Sequence, residues 1–466
     1  MMRNSIVLAA LLAGAFASAA SADVMISGSK TKNMTCSNGV CAPTAAKATL
    51  NIGDLENLLA TEPVKVVTTN GSTQAKNIVV LMNLSWSSAF GLTLNAYRSI
   101  LFSAPVTAQG TVAFTLVTND GGSGGTLTFL GTGKLNFGSP SSTLKINGQR
   151  YLLEPSLPQL TAGIAAKPRG HFALALDYDA DADGTYYTSP VPVPFGGTFN
   201  GLGHTISNLT ILDGSDVNAG LFSFITSQGS LGSVILRTVA IDATNAAGAL
   251  AGENDGTISN CSAMGRVRAN VAGGLVASND NRGKITTSKF WRANSFKGAQ
   301  VYGSTVAGGL AGVNGGTITL SFVSGKVIGG EAGGLAGVNG TGGIIENSYA
   351  SGSVEGTKKA SYVGGFVGLN YNGAISDSYA KATIRARGSA EAGGFSGADQ
   401  GTINDGYWDT DKGGDQGSGD GNDSGLTGLT YQQFRAGLPD GFDPKIWVEE
   451  HLFNNGFPYL IANPPE

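Results

Sequence analysis

The strongest constraint on this chain is a unit that recurs six times. It opens as AGALAGEN at Ala247, AGGLVASN at Ala272, AGGLAGVN at Ala307 and again at Ala332, VGGFVGLN at Val363 and AGGFSGAD at Ala392. A second half follows each opening: GTISNCSAMGRV, GKITTSKF, GTITLSFVSGKV, GIIENSYASGSV, GAISDSYAKATI and GTINDGYW. Aligned, the units give one apolar column at Leu250, Leu275, Leu310, Leu335, Phe366 and Phe395, with steps of 25, 35, 25, 31 and 29 residues. A second column runs Ile258, Ile285, Ile318, Ile345, Ile375, Ile403, and a third Val267, Val327, Val354, Ile384. No single unit is long enough to bury its own apolar face, so units must stack and share a core. The pieces are strand-sized, rich in β-branched residues and punctuated by Gly and Asn. The expected fold is therefore all-β. It is a right-handed parallel β-helix, or β-solenoid, with roughly one repeat per coil, strands about 4.8 Å apart and a short C-terminal cap.

The other columns carry expectations of their own. Paired glycines such as Gly308 and Gly309 imply a positive φ or a close backbone approach at the corners. Asn254, Asn279, Asn314, Asn339 and Asn370, then Asp399, form a column suited to left-handed backbone or to amides bonded coil to coil. Cys261 heads a column that continues Ser288, Ser321, Ser348, Ser378 and Gly406. That makes Cys261 a serine substitute rather than a nucleophile.

The unit GGLxGxNxGxIxxSYxxGxV resembles the GLUG repeat of bacterial surface and secreted proteins, notably the large adhesins of the filamentous haemagglutinin type. Upstream, IGDLENLLAT, LSWSSAFGLTLNAYRSILFSAPVTAQG and LKINGQRYLL resemble the strand-rich stretch that precedes the repeats in those adhesins. The ending, with its YWDT, GLT and NNGFPYL pieces, resembles the close of such arrays. The resemblance implies an exported, non-enzymatic solenoid with an adhesive role at the cell surface or in the extracellular matrix. Its partners would be a host or neighbouring-cell surface, a glycan or a matrix component, and an outer-membrane secretion partner.

The chain divides accordingly. Residues 1–22 read as a signal peptide of a bacterium, with Arg3, an apolar run and the Ala20-Ser21-Ala22 cleavage site, which implies a secreted, surface or periplasmic location. Residues 23–45 form an N-terminal arm. In it Cys36 and Cys41, five apart around Asn38-Gly39, fit a small disulfide loop. Residues 46–153 are the haemagglutinin-like β-helix segment, with a short helix over Gly53–Leu59. Residues 154–246 are junction and lead-in coils, 247–406 the repeat array, and 407–466 an acidic Gly-rich loop and cap. In the cap, Thr430 and Gln433 have capping-box spacing, and Phe434, Trp447, Phe457 and Tyr459 are expected to cover the last coil.

Three features are candidate sites. The unit around residues 283–306 is longer than its neighbours, and insertions in solenoids gather on one face. Its Phe290, Trp291, Arg292, Lys297 and Tyr302 are candidate binding residues, against the plainer reading of a bulged coil whose aromatics pack over the core. Asp179, Asp181 and Asp183 copy the start of a calcium loop, but Pro190 stands where the bidentate Glu belongs. Calcium is the one cofactor the chain suggests. His204 follows a Gly in a strand-like setting and reads as a structural turn residue.

Enzyme chemistry finds little support. A solenoid that cleaves polysaccharide needs paired carboxylates on adjacent coils of one face. Glu253, Asp255, Asp280, Glu331, Glu346 and Asp377 align to different columns. A carbohydrate-active enzyme and a structural spacer of a surface assembly are the rival readings. The net charge of −4 with 13% charged residues gives no electrostatic footprint for nucleic acid or anionic membrane. No later apolar run is long enough for a transmembrane helix.

Overall fold

Strands of three to five residues are stable only when their edges are paired on both sides. Here each is paired by the equivalent strand of the coil before and after it. The structure is a computed structural model and describes residues 22–215, 218–291, 299–388 and 390–465. The signal segment lies almost wholly outside the described residues. Among those described, no helix is long and apolar enough to cross a membrane.

The chain forms two units, each a parallel β-solenoid. The first holds the residues up to Leu160 together with His171–Tyr178 and Phe199–His204. One of its sheets is wholly parallel, in the order Leu127–Phe129, Ile100–Phe102, Asn77–Val80, Asp23–Ser27, Ala48–Asn51. Two further runs of parallel strands pass through Leu92–Asn95 and Pro105–Ala108. Alternate residues such as Ile78, Val80, Leu92, Leu94, Leu135 and Phe137 point inward and are buried. The anticipated helix spans Ile52–Leu59, where the Asn51 side chain accepts from the N–H groups of Gly53 (2.9 Å) and Asp54 (3.2 Å) and Leu55 and Leu59 are buried. Cys36 and Cys41 are disulfide-bonded. They face each other across the antiparallel pair Met34–Ser37 and Val40–Pro43, whose turn takes Asn38 and Gly39 through φ of 53° and 71°. His204 is fully buried, with Nε2 2.9 Å from the Leu135 carbonyl oxygen and Nδ1 3.2 Å from Asp177. Its ring pins backbone, as the sequence suggests. The helix Leu157–Ala166 is not anticipated; Ser156 Oγ accepts from Gln159 N–H at 3.3 Å, and Pro158 falls in the first turn, where no N–H is required.

The second unit carries the repeats, and the aligned columns are paired residue for residue. Ile258 pairs with Ile285, then Ile318, Ile345, Ile375 and Ile403 in succession. Val267 pairs with Val301, and the series continues through Val327, Val354 and Ile384. Val301 fills the gap that the longer unit leaves in the sequence alignment. The Leu/Phe column lies at a corner, where N–H to carbonyl bonds of 2.7–2.9 Å link each member to the next coil. All six of its members are fully buried.

The glycines of the corner serve close approach. A Cβ at Gly308 would lie 1.7 Å from the Ala311 carbonyl oxygen and 2.5 Å from Gly337 N. Positive φ is carried by a different column, the residue before each member of the Cys261 to Gly406 column: Asn260, Thr287, Leu320, Asn347, Asp377 and Asp405, at 47–53°. The Asn column instead forms a ladder buried from solvent. Each Nδ2 donates to the next Oδ1, from Asn254 to Asn279 (2.8 Å), Asn314 (2.7 Å), Asn339 (2.8 Å), Asn370 (2.9 Å) and finally Asp399 (2.7 Å). The donors all point one way, so the last rung needs an acceptor and no amide hydrogens, which is what Asp399 supplies.

The serine column repeats another bond. Each Oγ donates to the carbonyl two residues back at 2.7–2.9 Å and accepts an N–H from the previous coil at 3.1–3.3 Å. Cys261 heads the column, with Sγ 3.3 Å from the Ser259 carbonyl oxygen, so it stands in for serine. Burial pushes its thiol up to about 12. We expect Ellman's reagent at pH 8 to leave Cys261 unmodified in the native chain and to label it on unfolding. Cys261→Ser should change the unfolding free energy by less than about 0.5 kcal/mol.

The C-terminal segment does more than cover the last coil. Helix Tyr431–Phe434 begins with the expected capping box of Thr430 and Gln433. From there the chain runs back along the flank of the array. Trp447 Nε1 donates to Asn347 (3.0 Å), and Asn463 Nδ2 donates to the carbonyls of Leu320 (3.1 Å) and Ser288 (3.2 Å). Beneath it lies a stack of rings, one per coil: Phe322 on Tyr349 at 4.8 Å and Tyr349 on Tyr379 at 5.1 Å, with their planes nearly parallel. Phe434, Phe442, Trp447, Phe457 and Leu460 close over this stack. Lys381 is roofed as well, its Nζ 2.9 Å from the Asn454 carbonyl oxygen and 4.5 Å from the Phe457 ring centre. Burial, aided by Lys412, brings its amine down to about 7.

Candidate functional site

Because strand residues alternate, every inward column has outward neighbours, and the register stacks those too. On the run of long strands from Thr210–Asp213 to Val367–Arg385, one outward column is Leu212, Asp242, Arg268, Tyr302, Ile328, Glu355 and Arg385. A second runs parallel to it: Thr210, Ala240, Arg266, Gln300, Lys326, Ser353 and Thr383. Tyr186 bridges to Ile211, which sets Tyr187, 73% exposed, next to Leu212. Seven stacked coils give this face a length of about 30 Å.

Side chains on the face interact across coils. The Arg268 guanidinium lies 5.2 Å over the Tyr302 ring and 3.7 Å from Asp242. Glu355 takes Lys326 Nζ at 2.8 Å and also Arg387. Leu212, Asp242, Arg268, Asn270, Tyr302 and Ser304 line a groove of about 550 Å³. Of the insertion residues named from sequence, Tyr302 alone stands on this face. Phe290 is buried, pairing with Ala263 on one side and Val323 on the other. Trp291 is buried in the aromatic cluster under the C-terminal segment, with Lys289 Nζ 5.5 Å from its ring centre. Neither is presented to a ligand, because the bulged coil turns both against packed neighbours. Arg292 and Lys297 lie outside the described residues.

A second groove, of about 690 Å³, is lined by Phe224, Glu253, Asp255, Asp280, Asn281 and Arg282. Asp255 and Asp280 each follow a ladder asparagine, so they occupy equivalent positions, contrary to the reading that scatters them. The turn after the ladder brings Asp280 back to Glu253 on the coil before. Burial first, then a hydrogen bond shared with Asp280 and the charges of Asp280 and Asp255, push the Glu253 carboxyl up to about 7. Asn218 Nδ2 donates to Glu253 at 2.9 Å, Ser278 Oγ donates to Asp280 at 2.5 Å, and Arg282 is paired with Asp255 at 2.5 Å. Chemically this sets a carboxyl of raised pKa, Glu253, against Asp280 and beside the Arg282–Asp255 ion pair.

The calcium candidate takes another form. Asp179 caps the turn Ala180–Asp183, accepting from Asp181 N–H at 3.2 Å and Asn208 Nδ2 at 2.8 Å, while Asp183 accepts from the Tyr186 hydroxyl at 2.7 Å. Those bonds hold the Asp179 carboxyl below its ordinary value. Among the described residues no three His, Cys, Asp or Glu side chains are grouped to hold a metal ion, and Asp179, Asp181 and Asp183 form a capped turn. The carboxylates of the 407–425 loop are similarly engaged: Asp420 accepts from Asp399 N–H at 2.9 Å and Asp423 from Ser418 N–H at 2.6 Å.

With this geometry in hand, similarity to known proteins is limited. The family model of the GLUG motif matches residues 329–355 and 359–385. Both stretches fall within the six register-paired units, so the chain carries GLUG repeats. Halomucin of Haloquadratum walsbyi is 28% identical over 253 residues, which are 51% of this chain and 3% of that protein. The chain thus spans about 3% of the length of that relative. A solved structure from Bacteroides ovatus, of a candidate immunoglobulin A1 protease, is 16% identical with a TM-score of 0.42, covering 68% of this chain and 93% of that one.

Proposed function

We propose that this GLUG-repeat solenoid is a surface or extracellular attachment protein that works by binding and not by catalysis. The observation that carries the reading is the outward face of the second unit. There, polar, aromatic and charged side chains are stacked coil upon coil on strands whose register leaves them no freedom to scatter. A repeated surface of this kind suits a repeated ligand, with many weak contacts adding along its length. The likeness to a protein named Halomucin and the GLUG repeats support a location outside the cytoplasm. The purified chain is expected to bind intact cells, extracellular matrix or their glycans. The double variant Arg268→Ala, Tyr302→Ala should weaken that binding by about tenfold while leaving the fold intact. No binding across a broad panel of cells, matrix and glycans would overturn the reading.

A second reading, cleavage of polysaccharide, is favoured by one observation: in the second groove Glu253 is held against Asp280, and burial together with that contact pushes the Glu253 carboxyl up to about 7. A general acid must be a carboxyl that is protonated at working pH. Release of reducing ends from a polysaccharide panel, lost in Glu253→Gln, would replace the binding reading with this one.

A further inference from the structure

We infer that the outward face of the second unit takes an extended acidic polysaccharide, lying along the stacked coils. This rests on the attachment reading and names its partner by charge. The chain as a whole carries −4. The side chains of the two outward columns, with Arg387 just after them, run the other way. Five are basic (Arg266, Arg268, Lys326, Arg385 and Arg387) against two acidic (Asp242 and Glu355). The face has an excess of three positive charges on an otherwise acidic molecule. Internal pairing does not cancel it: Asp242 is opposite Arg268, and Glu355 holds Lys326 and Arg387. Arg266 and Arg385 are exposed and take part in none of the ion pairs found among the described residues.

Spacing selects among polyanions. Basic residues recur every two coils, about 10 Å along the axis. Duplex nucleic acid presents a charge every 1.7 Å or so and rewards an unbroken run of cations. This face interrupts its cations with carboxylates, which a dense polyphosphate would meet with repulsion. An acidic polysaccharide carries one carboxylate or sulfate per sugar or per pair of sugars, with hydroxyls between. The interleaved pattern supplies each: arginines for the anions, Asp242 for hydroxyls, and the Tyr302 ring for the apolar face of a sugar.

The test uses the full chain with hyaluronate, alginate and polygalacturonate as probes, neutral dextran as control and duplex DNA as competitor. Binding is measured at 50 and 200 mM NaCl. We expect at least one acidic polysaccharide to bind, dextran not to bind, and affinity to fall as salt rises. The variant Arg266→Gln, Arg385→Gln should lose about tenfold or more with its melting temperature unchanged, since each side chain is exposed. A chain that binds cells or matrix but none of the three polyanions overturns the inference and leaves attachment standing. So does polyanion binding that the Arg266→Gln, Arg385→Gln variant retains, or tighter binding of duplex DNA at equal salt. A chain that binds no cell, matrix or glycan preparation overturns attachment itself.

Discussion

Gly308→Ala is expected to lower the unfolding free energy of the second unit by about 3 kcal/mol or more, enough to leave it largely unfolded at 37 °C. The added methyl would sit 1.7 Å from the Ala311 carbonyl oxygen and 2.5 Å from Gly337 N. Both are backbone atoms in the corner of the stack, so no side-chain rotation can clear them. Coils would have to part, and parting one pair breaks the bonds Leu310 makes to the next coil. Gly214→Ala is the control, because a Cβ there has no heavy atom within 4 Å. Urea denaturation followed by circular dichroism reads both. Equal stability of Gly308→Ala and the parent would mean that the coils are not packed at this spacing.

Asn314→Ala is the second large effect, expected at about 3 kcal/mol. In the ladder Asn314 accepts from Asn279 at 2.7 Å and donates to Asn339 at 2.8 Å and to the Gly316 carbonyl oxygen at 3.2 Å. Truncation strands Asn339 Oδ1 in a dry interior and takes from Asn279 Nδ2 its 2.7 Å acceptor, and each buried group left without a partner costs about 1–3 kcal/mol. Asn314→Asp separates the hydrogen bond from the shape. A carboxylate can still accept from Asn279 but turns a lone pair toward Asn339 Oδ1. Protonation restores a donor, so the folded state raises the pKa of this carboxyl. Such a group penalises folding as pH rises above its unfolded value. Asn314→Asp should therefore be closer to the parent at pH 4 than at pH 7. Identical losses at both pH values would mean that the amides are not bonded in series.

Much of this architecture is legible before any coordinate, and the reason is periodicity. An inward residue must recur where the chain returns to the same wall, so Leu310, Ile318 and Val327 announce themselves by repetition. Val301 does not, because the extra residues of its coil shift it out of alignment while leaving its place in space unchanged. The left-handed corner is equally hidden. Thr287 and Leu320 are poor residues for φ near 50°, and only the stack around them holds them there. The disulfide was legible from its own turn. The outward face was not, because solvent imposes no period on it. Nor was the carboxyl pair, because Glu253 and Asp280 meet through a turn and not through a column. The burial of Phe290 and Trp291 shows the opposite error, where an irregular insertion rich in aromatics suggests a surface and supplies packing instead.

The segment that roofs the ring stack arrives late. A ribosome delivers Phe322, Tyr349 and Tyr379 well before Trp447 and Asn463, which reach back across 100 and 143–175 residues to bond the coils beneath. While translation proceeds, the nascent array must carry a bare stripe of rings. Closure of the roof by Phe434, Phe442, Trp447, Phe457 and Leu460 then covers that stripe.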